Sequence, residues 1–399
     1  MLHVKSPRHD TLASVYMNLI RGLAAVAVLI SHVSLFFFDN AFKTFWTHFF
    51  WASIDIGQQA VMVFFVLSGF LIGGTVLKTQ SRSQFSWALY LVQRFTRLYV
   101  VLIPALLLTI GWDFLGMHWF GPQVYAARFP LDHMLLGNVY QSSGWQTLLF
   151  NGLFLQEIHA TTYGSDAALW SLAFEFWYYI LFPLGLLAAT AAGWRQRLLY
   201  GICAAALCTV EPRSILLYFS VWLFGALIHL IPPLKISGRV KRQRYIVGAC
   251  LLLLASVYVH PLIADWVVWN VPADFLVGAS AALLLYLLAS WYNCSPPSST
   301  RYHRAANTMA GFSYTLYLTH YPVLVFIQAA LVRHGFEGWS LTPMHGIYAL
   351  MITSGVLLYS WLIAQVTEVH TTAVRKVVTG QLSRIRAVAL RWARPLMDT

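Results

Sequence analysis

Residues 56–77 read IGQQAVMVFFVLSGFLIGGTVL and contain no charged side chain. As a helix rising ~1.5 Å per residue, this stretch is about 33 Å long and crosses a hydrocarbon core of roughly 30 Å. A soluble helix of this length would carry charged residues on one face. Gly69 and Gly73 form a GxxxG pattern, which indicates close packing against another helix. The stretch therefore predicts a transmembrane helix.

Apolar stretches of this kind recur along the whole chain, in which 59% of residues are hydrophobic and 10% are charged. A soluble domain has about 25% charged residues, so this composition excludes a large soluble protein. We predict an all-α fold, a polytopic transmembrane helical bundle with about ten spans. The spans are 13–35, 56–77, 98–118, 168–192, 198–210, 214–231, 245–262, 272–291, 309–331 and 344–367. Segment 198–210 is the shortest, and losing it would invert every later span.

The basic residues test this number of spans. With a cytoplasmic N-terminus, 21 of the 26 lysines and arginines fall on the inner side, four fall on the outer side, and Arg21 lies within the first span. This bias follows the positive-inside rule, so we predict ten spans with both termini cytoplasmic. The net charge of +12 then reflects topology and contact with membrane lipid rather than binding of nucleic acid.

The predicted organisation is one transmembrane domain, residues 1–375, followed by a basic cytoplasmic tail, residues 376–399. The first apolar stretch is not followed by a cleavage site, so we expect it to be retained as a span. The outer loop 119–167 is rich in Gly, Trp and Tyr, and we expect a structured cap or re-entrant segment over a central cavity. No HExxH motif or Cys/His cluster indicates a metal, so none is expected.

Ionisable side chains inside a span are costly and are therefore candidates for function. Arg21 and His32 share the first span and lie 11 residues apart. This spacing places them on one face of a helix, about 16 Å apart along its axis. Arg21 could hold a phosphate or carboxylate from the cytoplasmic side, and His32 could act as base or nucleophile. The alternative is that Arg21 snorkels to the interface while His32 caps a helix end.

Glu175 and His320 are the ionisable candidates on later spans. Glu175 lies in WSLAFEFWYY, four residues after Ser171 on the same helix face. It needs a cation or a hydrogen-bond donor, and the candidates are Arg21 and His32 on the first span. His320 lies near the middle of its span and is a reserve candidate for the role of His32. For Glu175 the alternative is a structural buried carboxylate.

Two further patterns accompany these groups. Tyr314, Tyr317 and Tyr321 form one aromatic stripe along a helix. The stripe either packs against a neighbouring helix or stacks against a sugar ring. Arg94 and Arg97 are three residues apart at the start of the third span, and so form one basic patch. Such a patch binds phosphates or anionic headgroups, or it serves topology alone.

Taken in order, these segments resemble the acyltransferase-3 family of integral membrane acyltransferases. The matching motifs are RGLAA with His32, FFVLSGFLI, RFTRLY, WSLAFEFWY and SYTLYLTHYP, which span residues 18 to 322. Each motif alone is weak, whereas five in the family's order are specific. The proline that usually follows the RxxR patch closely comes late here, at Pro104, so the register of that stretch is open.

The resemblance implies an enzyme that moves an acyl group, usually acetyl, from cytoplasmic acyl-CoA to a carbohydrate hydroxyl at the outer face. The family's functional positions fall on Arg21 and His32, on Arg94 and Arg97, and on Trp170, Ser171 and Glu175. Some relatives carry a fused SGNH hydrolase-like domain. This chain shows none, so we expect it to finish the transfer itself or to hand the group to a separate protein.

We therefore expect acetyl-CoA as the donor substrate, no metal, and a lipid-linked or surface glycan as the acceptor, at a bacterial inner membrane. The expected donor-binding residues are Arg21, Arg94 and Arg97. The expected catalytic residues are His32, which activates the hydroxyl or carries the acetyl group, Glu175, which orients His32, and His320 in reserve. The expected acceptor-binding residues are Trp170, Ser171, Tyr314 and Tyr317.

Two other functions fit the same residues. A transporter or flippase of a lipid-linked sugar would use the intramembrane charges as a substrate pathway. A non-catalytic membrane protein that senses acyl groups would tolerate the loss of His32. Release or transfer of acetyl from labelled acetyl-CoA by the purified protein separates the enzyme from both.

Overall fold

The computed structural model describes residues 11–38, 56–126, 138–264, 271–292 and 300–381 of the 399-residue chain. Within these ranges the chain is all-α, as predicted. The long helices are α1 (Leu12–Phe37), α2 (Gly57–Ser81), α3 (Trp87–Phe120), α4 (Trp170–Thr190), α5 (Trp194–Val210), α6 (Arg213–Leu227), α7 (Arg239–Ala264), α8 (Val271–Tyr292), α9 (Thr300–Arg333) and α10 (Pro343–Val366).

Nine helices in the described part of the chain are long and apolar enough to cross a membrane. The remaining predicted span, 198–210, forms helix α5, which has 17 residues and falls short of that length. A three-residue connection joins α5 to α4, and α5 packs mainly against α4. None of its side chains is buried. The polytopic bundle is thus confirmed, while the placement of both termini in the cytoplasm stays a prediction.

Helices α1 and α9 form the centre of the bundle. Their mutual contact is the most extensive in the fold, and α2, α3 and α10 pack around them. Thr11 caps α1 by accepting a hydrogen bond from the Ser14 amide at 3.3 Å. Both central helices carry candidate residues predicted from the sequence, Arg21 and His32 on α1 and His320 on α9, so the fold brings them together.

Helices α2 and α6 approach each other at their glycines. A β-carbon at Gly69 would lie 1.9 Å from the Trp222 carbonyl oxygen, and one at Gly225 would lie 1.9 Å from the Val66 carbonyl oxygen. The backbone of α2 forms a π-helical turn at Gly69–Gly73. The GxxxG pattern therefore serves close helix packing, as the sequence predicted.

The connection between α3 and α4 is partly helical. Short helices occupy Pro122–Ala126, Val139–Ser142 and Trp145–Gly152, and a 3-10 turn at Ala167–Leu169 leads into α4. Residues 127–137 lie outside the described part of the chain. The expected structured segment is present, but no described residue of this connection lines the cavity described below, so the expected position over that cavity is not supported.

Candidate active site

A cavity of about 180 Å³ lies between α1, α2, α3, α4 and α9. Its wall carries apolar side chains together with a set of polar ones. The polar lining residues are Arg21, Ser68, Arg94, Arg97, Ser171, Glu175, Tyr179, Ser313, Tyr314 and Tyr317. Seven of the ten site residues predicted from the sequence therefore line one cavity, although they come from four helices. The exceptions are His32, His320 and Trp170.

The three arginines differ in their partners. Arg97 forms an ion pair with Glu368, with Nη2 and Oε1 2.8 Å apart, and its guanidinium lies 5.2 Å from the centroid of the Tyr314 ring. Arg94 lies over the rings of Tyr90 and Tyr179 at 5.8 and 5.9 Å. Within the described residues, neither Arg94 nor Arg21 has a carboxylate within ion-pair distance. The cavity therefore holds two arginines available to an anion.

Glu175 is held by hydroxyl groups rather than by His32. Its Oε1 accepts hydrogen bonds from Ser68 Oγ at 3.0 Å and from the Tyr179 hydroxyl. Trp222 Nε1 donates in turn to Ser68 Oγ at 3.1 Å. The expectation that Glu175 orients His32 is wrong, because the two side chains share no hydrogen bond and His32 has a different partner. Their helices present Glu175 to the cavity and His32 to α9.

His32 and His320 form a buried, stacked pair. Nδ1 of His32 lies 2.7 Å from Nε2 of His320, and the ring centroids are 5.0 Å apart. Nδ1 of His320 lies 2.9 Å from the Leu316 carbonyl oxygen, which can only accept a hydrogen bond. With both rings neutral, His320 therefore carries its proton on Nδ1, and its bare Nε2 accepts from Nδ1–H of His32. In this assignment Nε2 of His32 carries a lone pair that no hydrogen bond within the described residues uses.

Ser171 and Tyr317 stand between the cavity and the histidine pair. Their hydroxyl groups are 2.6 Å apart, and both side chains line the cavity. The Tyr317 ring also contacts His320, with centroids 6.2 Å apart. Trp170, in contrast, packs against Phe65 and Phe174 and does not itself line the cavity. The site thus has an anion-binding chamber and a separate histidine pair. The two are joined through Tyr317, which is hydrogen-bonded to Ser171 in the chamber and contacts His320.

A buried acidic cluster lies at the α3–α4 connection. Asp113 accepts from Ser165 Oγ at 2.5 Å and from the Ser165 amide at 2.9 Å. The neighbouring Asp166 is fully buried, and burial together with the charge of Asp113 raises its pKa well above the usual range. Asp166 also interacts electrostatically with Tyr317 and Tyr321 beside the histidine pair. Asp166 lies in the predicted outer loop 119–167, and its place beside the histidine pair was not predicted.

A second polar network was missed by sequence reasoning. Asp274 on α8 is hydrogen-bonded to His260 on α7, with Oδ1 and Nε2 2.9 Å apart. Its Oδ2 accepts from Tyr218 at 2.8 Å and from Gln58 at 3.0 Å. The available signal was the occurrence of Asp and His at the edges of apolar segments. Asp274 is buried, and none of these residues lines the cavity.

Glu368 is the other residue that sequence reasoning missed. Its Oε2 accepts hydrogen bonds from the amide and hydroxyl of Thr315, each at 3.0 Å. It thereby joins the end of the last span to α9 and to Arg97 on α3. The available signal was an acidic residue directly after the final apolar segment. Its partner was not predictable, because sequence spacing does not show which helices meet.

Comparison with known proteins supports the same identification as the motifs. The sequence profile of the acyltransferase-3 family, described as an acyltransferase domain, matches residues 14–364. No curated protein and no solved structure matches the chain. The matched region runs from α1 nearly to the end of α10 and contains every site residue predicted from the sequence. The chain therefore belongs to the acyltransferase-3 family of membrane acyltransferases.

Proposed function

We propose that this protein is an O-acyltransferase that moves an acyl group, most simply acetyl, from cytoplasmic acyl-CoA to a hydroxyl of a lipid-linked or extracytoplasmic carbohydrate. The observation that carries the proposal is the pairing of an arginine-lined chamber with a histidine whose Nε2 is free. The chamber suits the phosphates of CoA. The histidine suits proton transfer from a hydroxyl.

The donor would enter at the arginine end of the chamber. Arg21 and Arg94 have no carboxylate within ion-pair distance in the described residues, so a phosphate meets guanidinium groups that no ion pair occupies. Arg21 and His32 lie on one face of α1, about 16 Å apart along the axis. This separation allows phosphates to remain near Arg21 while an extended pantetheine arm carries the thioester toward His32. The Ser171–Tyr317 contact must open for the thioester to arrive.

The chemistry at His32 can follow two routes. In direct transfer, Nε2 takes the proton of the acceptor hydroxyl, the oxygen attacks the thioester carbon, and the carbon–sulfur bond breaks. The proton then passes to the departing CoA thiolate. In the other route, Nε2 attacks the thioester carbon, the carbon–sulfur bond breaks and CoA departs as the thiolate. The acceptor hydroxyl then attacks the acyl carbon, the bond from that carbon to Nε2 breaks, and the hydroxyl proton passes to the CoA thiolate, so His32 returns as a neutral imidazole. In both routes His320 holds His32 in the tautomer that exposes Nε2.

Purified protein in lipid nanodiscs tests the proposal. Wild-type protein should bind acetyl-CoA and release or transfer its labelled acetyl group. Arg94→Ala should weaken binding by about 1–3 kcal/mol, as expected for a charge-assisted hydrogen bond to phosphate. Arg82→Ala is the matched control, because Arg82 is exposed on the segment between α2 and α3 and does not line the cavity. A glycan acetyl group that disappears on gene deletion, detected by NMR, would identify the acceptor.

Two other results would contradict the proposed acyltransferase. A folded wild-type protein that neither binds acetyl-CoA nor consumes it, but moves a lipid-linked sugar across vesicles, would establish the transporter instead. Binding of acetyl-CoA without turnover, unchanged in His32→Ala, would indicate a sensor.

A further inference from the structure

The chain beyond α10 packs against the basic end of the cavity, where Glu368 contacts Arg97. A 3-10 turn at Glu368–His370 follows α10, and residues 371–381 are helical. We call residues 368–381 the terminal segment. It begins after residue 364, where the family match ends. The structure nevertheless places two of its charged side chains against Arg94 and Arg97.

Glu368 anchors the terminal segment. Its side chain is 3% exposed and makes three contacts, with Arg97 at 2.8 Å and with the amide and hydroxyl of Thr315 at 3.0 Å. Because these partners lie on α3 and α9, one carboxylate fixes the segment against both helices that carry the basic and tyrosine-rich walls of the cavity.

Arg375 follows Glu368 by seven residues, a spacing that places both side chains on one helical face, about 10 Å apart along the axis. Its side chain is half-buried, and its Nε atom is buried without a hydrogen-bond partner in the described residues. The charge of Arg375 interacts with those of Arg94 and Arg97. Nε of Arg94 is likewise buried and lacks a hydrogen-bond partner.

These contacts leave a cluster of uncompensated positive charge. The charges of Arg94 and Arg97 act on Arg375, and Glu368 is the one carboxylate within ion-pair distance of any of the three among the described residues. Like charges held together in a partly buried site repel strongly and favour an anion between them. A single monovalent anion would leave the cluster positive, so a ligand with several phosphates fits better.

We propose that Arg375 binds the 3′-phosphate of the adenosine moiety of acyl-CoA, and that Glu368 is a positioning residue that holds the terminal segment in place for this contact. The inference rests on the proposed function. Arg375 lies farther from Arg21 and His32 along the molecule than Glu368 does, since the segment runs away from the end of α10. The thioester end of the donor points to the histidine pair, so the adenosine end falls near Arg375.

The test compares two ligands that differ by one phosphate. Full-length protein in nanodiscs of neutral phosphatidylcholine is titrated calorimetrically with CoA and with 3′-dephospho-CoA. Wild-type protein should prefer CoA. Arg375→Gln should lower the affinity for CoA by about 10- to 100-fold, as for a lost hydrogen bond to a charged group, and leave the affinity for dephospho-CoA nearly unchanged. Lys376→Gln removes the same charge from the adjacent exposed position and should preserve the preference.

Glu368→Ala provides the second measurement. If Glu368 positions Arg375, this variant should also lose the preference for CoA over dephospho-CoA while it still binds both ligands. Thermal unfolding of each variant in the same nanodiscs separates this effect from failure to fold, and Arg375→Lys should recover part of the preference because one cation remains.

Each other outcome overturns the inference in a recognisable way. An Arg375→Gln protein that keeps the wild-type preference refutes the phosphate contact while the proposed function stands. An effect of Arg375→Gln seen only in anionic phosphatidylglycerol nanodiscs would assign Arg375 to lipid headgroups. Wild-type protein that binds neither ligand would refute the proposed function together with this inference.

Discussion

At the scale of single residues, the direction of the hydrogen bond between His32 and His320 gives the two rings different roles. His32 presents Nε2, whereas both nitrogens of His320 are occupied. His32→Ala should therefore lower kcat by about 10²–10⁴-fold, the usual contribution of a general base, while CoA still binds. His320→Ala should lower kcat less, and His320→Gln should recover part of the loss because its amide oxygen accepts Nδ1–H of His32.

Steady-state kinetics with acetyl-CoA, together with CoA titration of each variant, measures these effects separately. If His32→Ala acetylates at nearly the wild-type rate while His320→Ala does not, the two roles are reversed. His345→Ala is a suitable control, because this half-buried histidine lies near the start of α10 and does not line the cavity.

A different residue, Glu211, makes stability depend on pH. It lies between α5 and α6, and neither carboxylate oxygen has a hydrogen-bond partner in the described residues. Burial raises its pKa from 4.5 to about 7. The folded protein then binds a proton more tightly than the unfolded chain, so the free energy of unfolding falls as pH rises from 4.5 to about 7 and this contribution levels off above.

Glu211→Gln should remove that slope and be more stable than wild-type protein at pH 8, with little difference below pH 4.5. Apparent melting temperatures in detergent across this range provide the measurement. Glu337→Gln, at an exposed position, should reproduce the wild-type slope. If the melting temperature of Glu211→Gln changed with pH in parallel with that of wild-type protein, Glu211 would not be the source of the pH dependence.

At the scale of helices, the contact between α2 and α6 depends on glycines, which have no β-carbon to keep the two backbones apart. A β-carbon at Gly69 would overlap the Trp222 carbonyl, which belongs to the backbone and cannot rotate away. Gly69→Val should therefore lower stability by at least about 1–3 kcal/mol, the usual cost of overpacking. Gly111→Val on α3 is the matched control, since nothing lies within 4 Å of its β-carbon position. Equal melting temperatures for the two variants would contradict close packing.

The helices were predictable from the sequence, and several of their contacts were not. Runs of apolar residues define a span almost directly, because the membrane sets both its length and its polarity. The common cavity for Arg21, Arg94 and Arg97 agrees with the predicted donor site, although their role in binding stays a prediction. His32 was predicted wrongly as a hydrogen-bond partner of Glu175, because hydropathy does not fix how each helix is rotated about its axis.

At the scale of the whole molecule, helix α5 decides the orientation of everything after it. If α5 crosses the membrane, Ser237 is cytoplasmic and Glu337 is outside, and if it does not, the two positions exchange sides. We expect Glu337→Cys to react with an impermeant maleimide on intact cells and Ser237→Cys to react only after permeabilisation. Both positions are exposed. The background from native cysteines is measured in the unsubstituted protein.

Ser83→Cys controls for this labelling, because it precedes α5 and is predicted to be cytoplasmic in either arrangement. Labelling of Ser237→Cys on intact cells, with Ser83→Cys protected, would show that α5 does not cross. The two termini would then lie on opposite sides of the membrane, which would contradict the contact between Glu368 after α10 and Arg97 at the start of α3.

The shortness of α5 also affects the surrounding lipid. Its uncharged part, residues 198–210, covers only about 20 Å, whereas the hydrocarbon core is roughly 30 Å thick. Arg195 and Arg197 precede this part and Arg213 follows it, so a crossing helix would draw headgroups and water inward from both leaflets. Such hydrophobic mismatch costs fractions of a kcal/mol per Å. Lipids with short acyl chains should therefore gather beside α5, and bilayer thickness would act on the protein most strongly at this one flank.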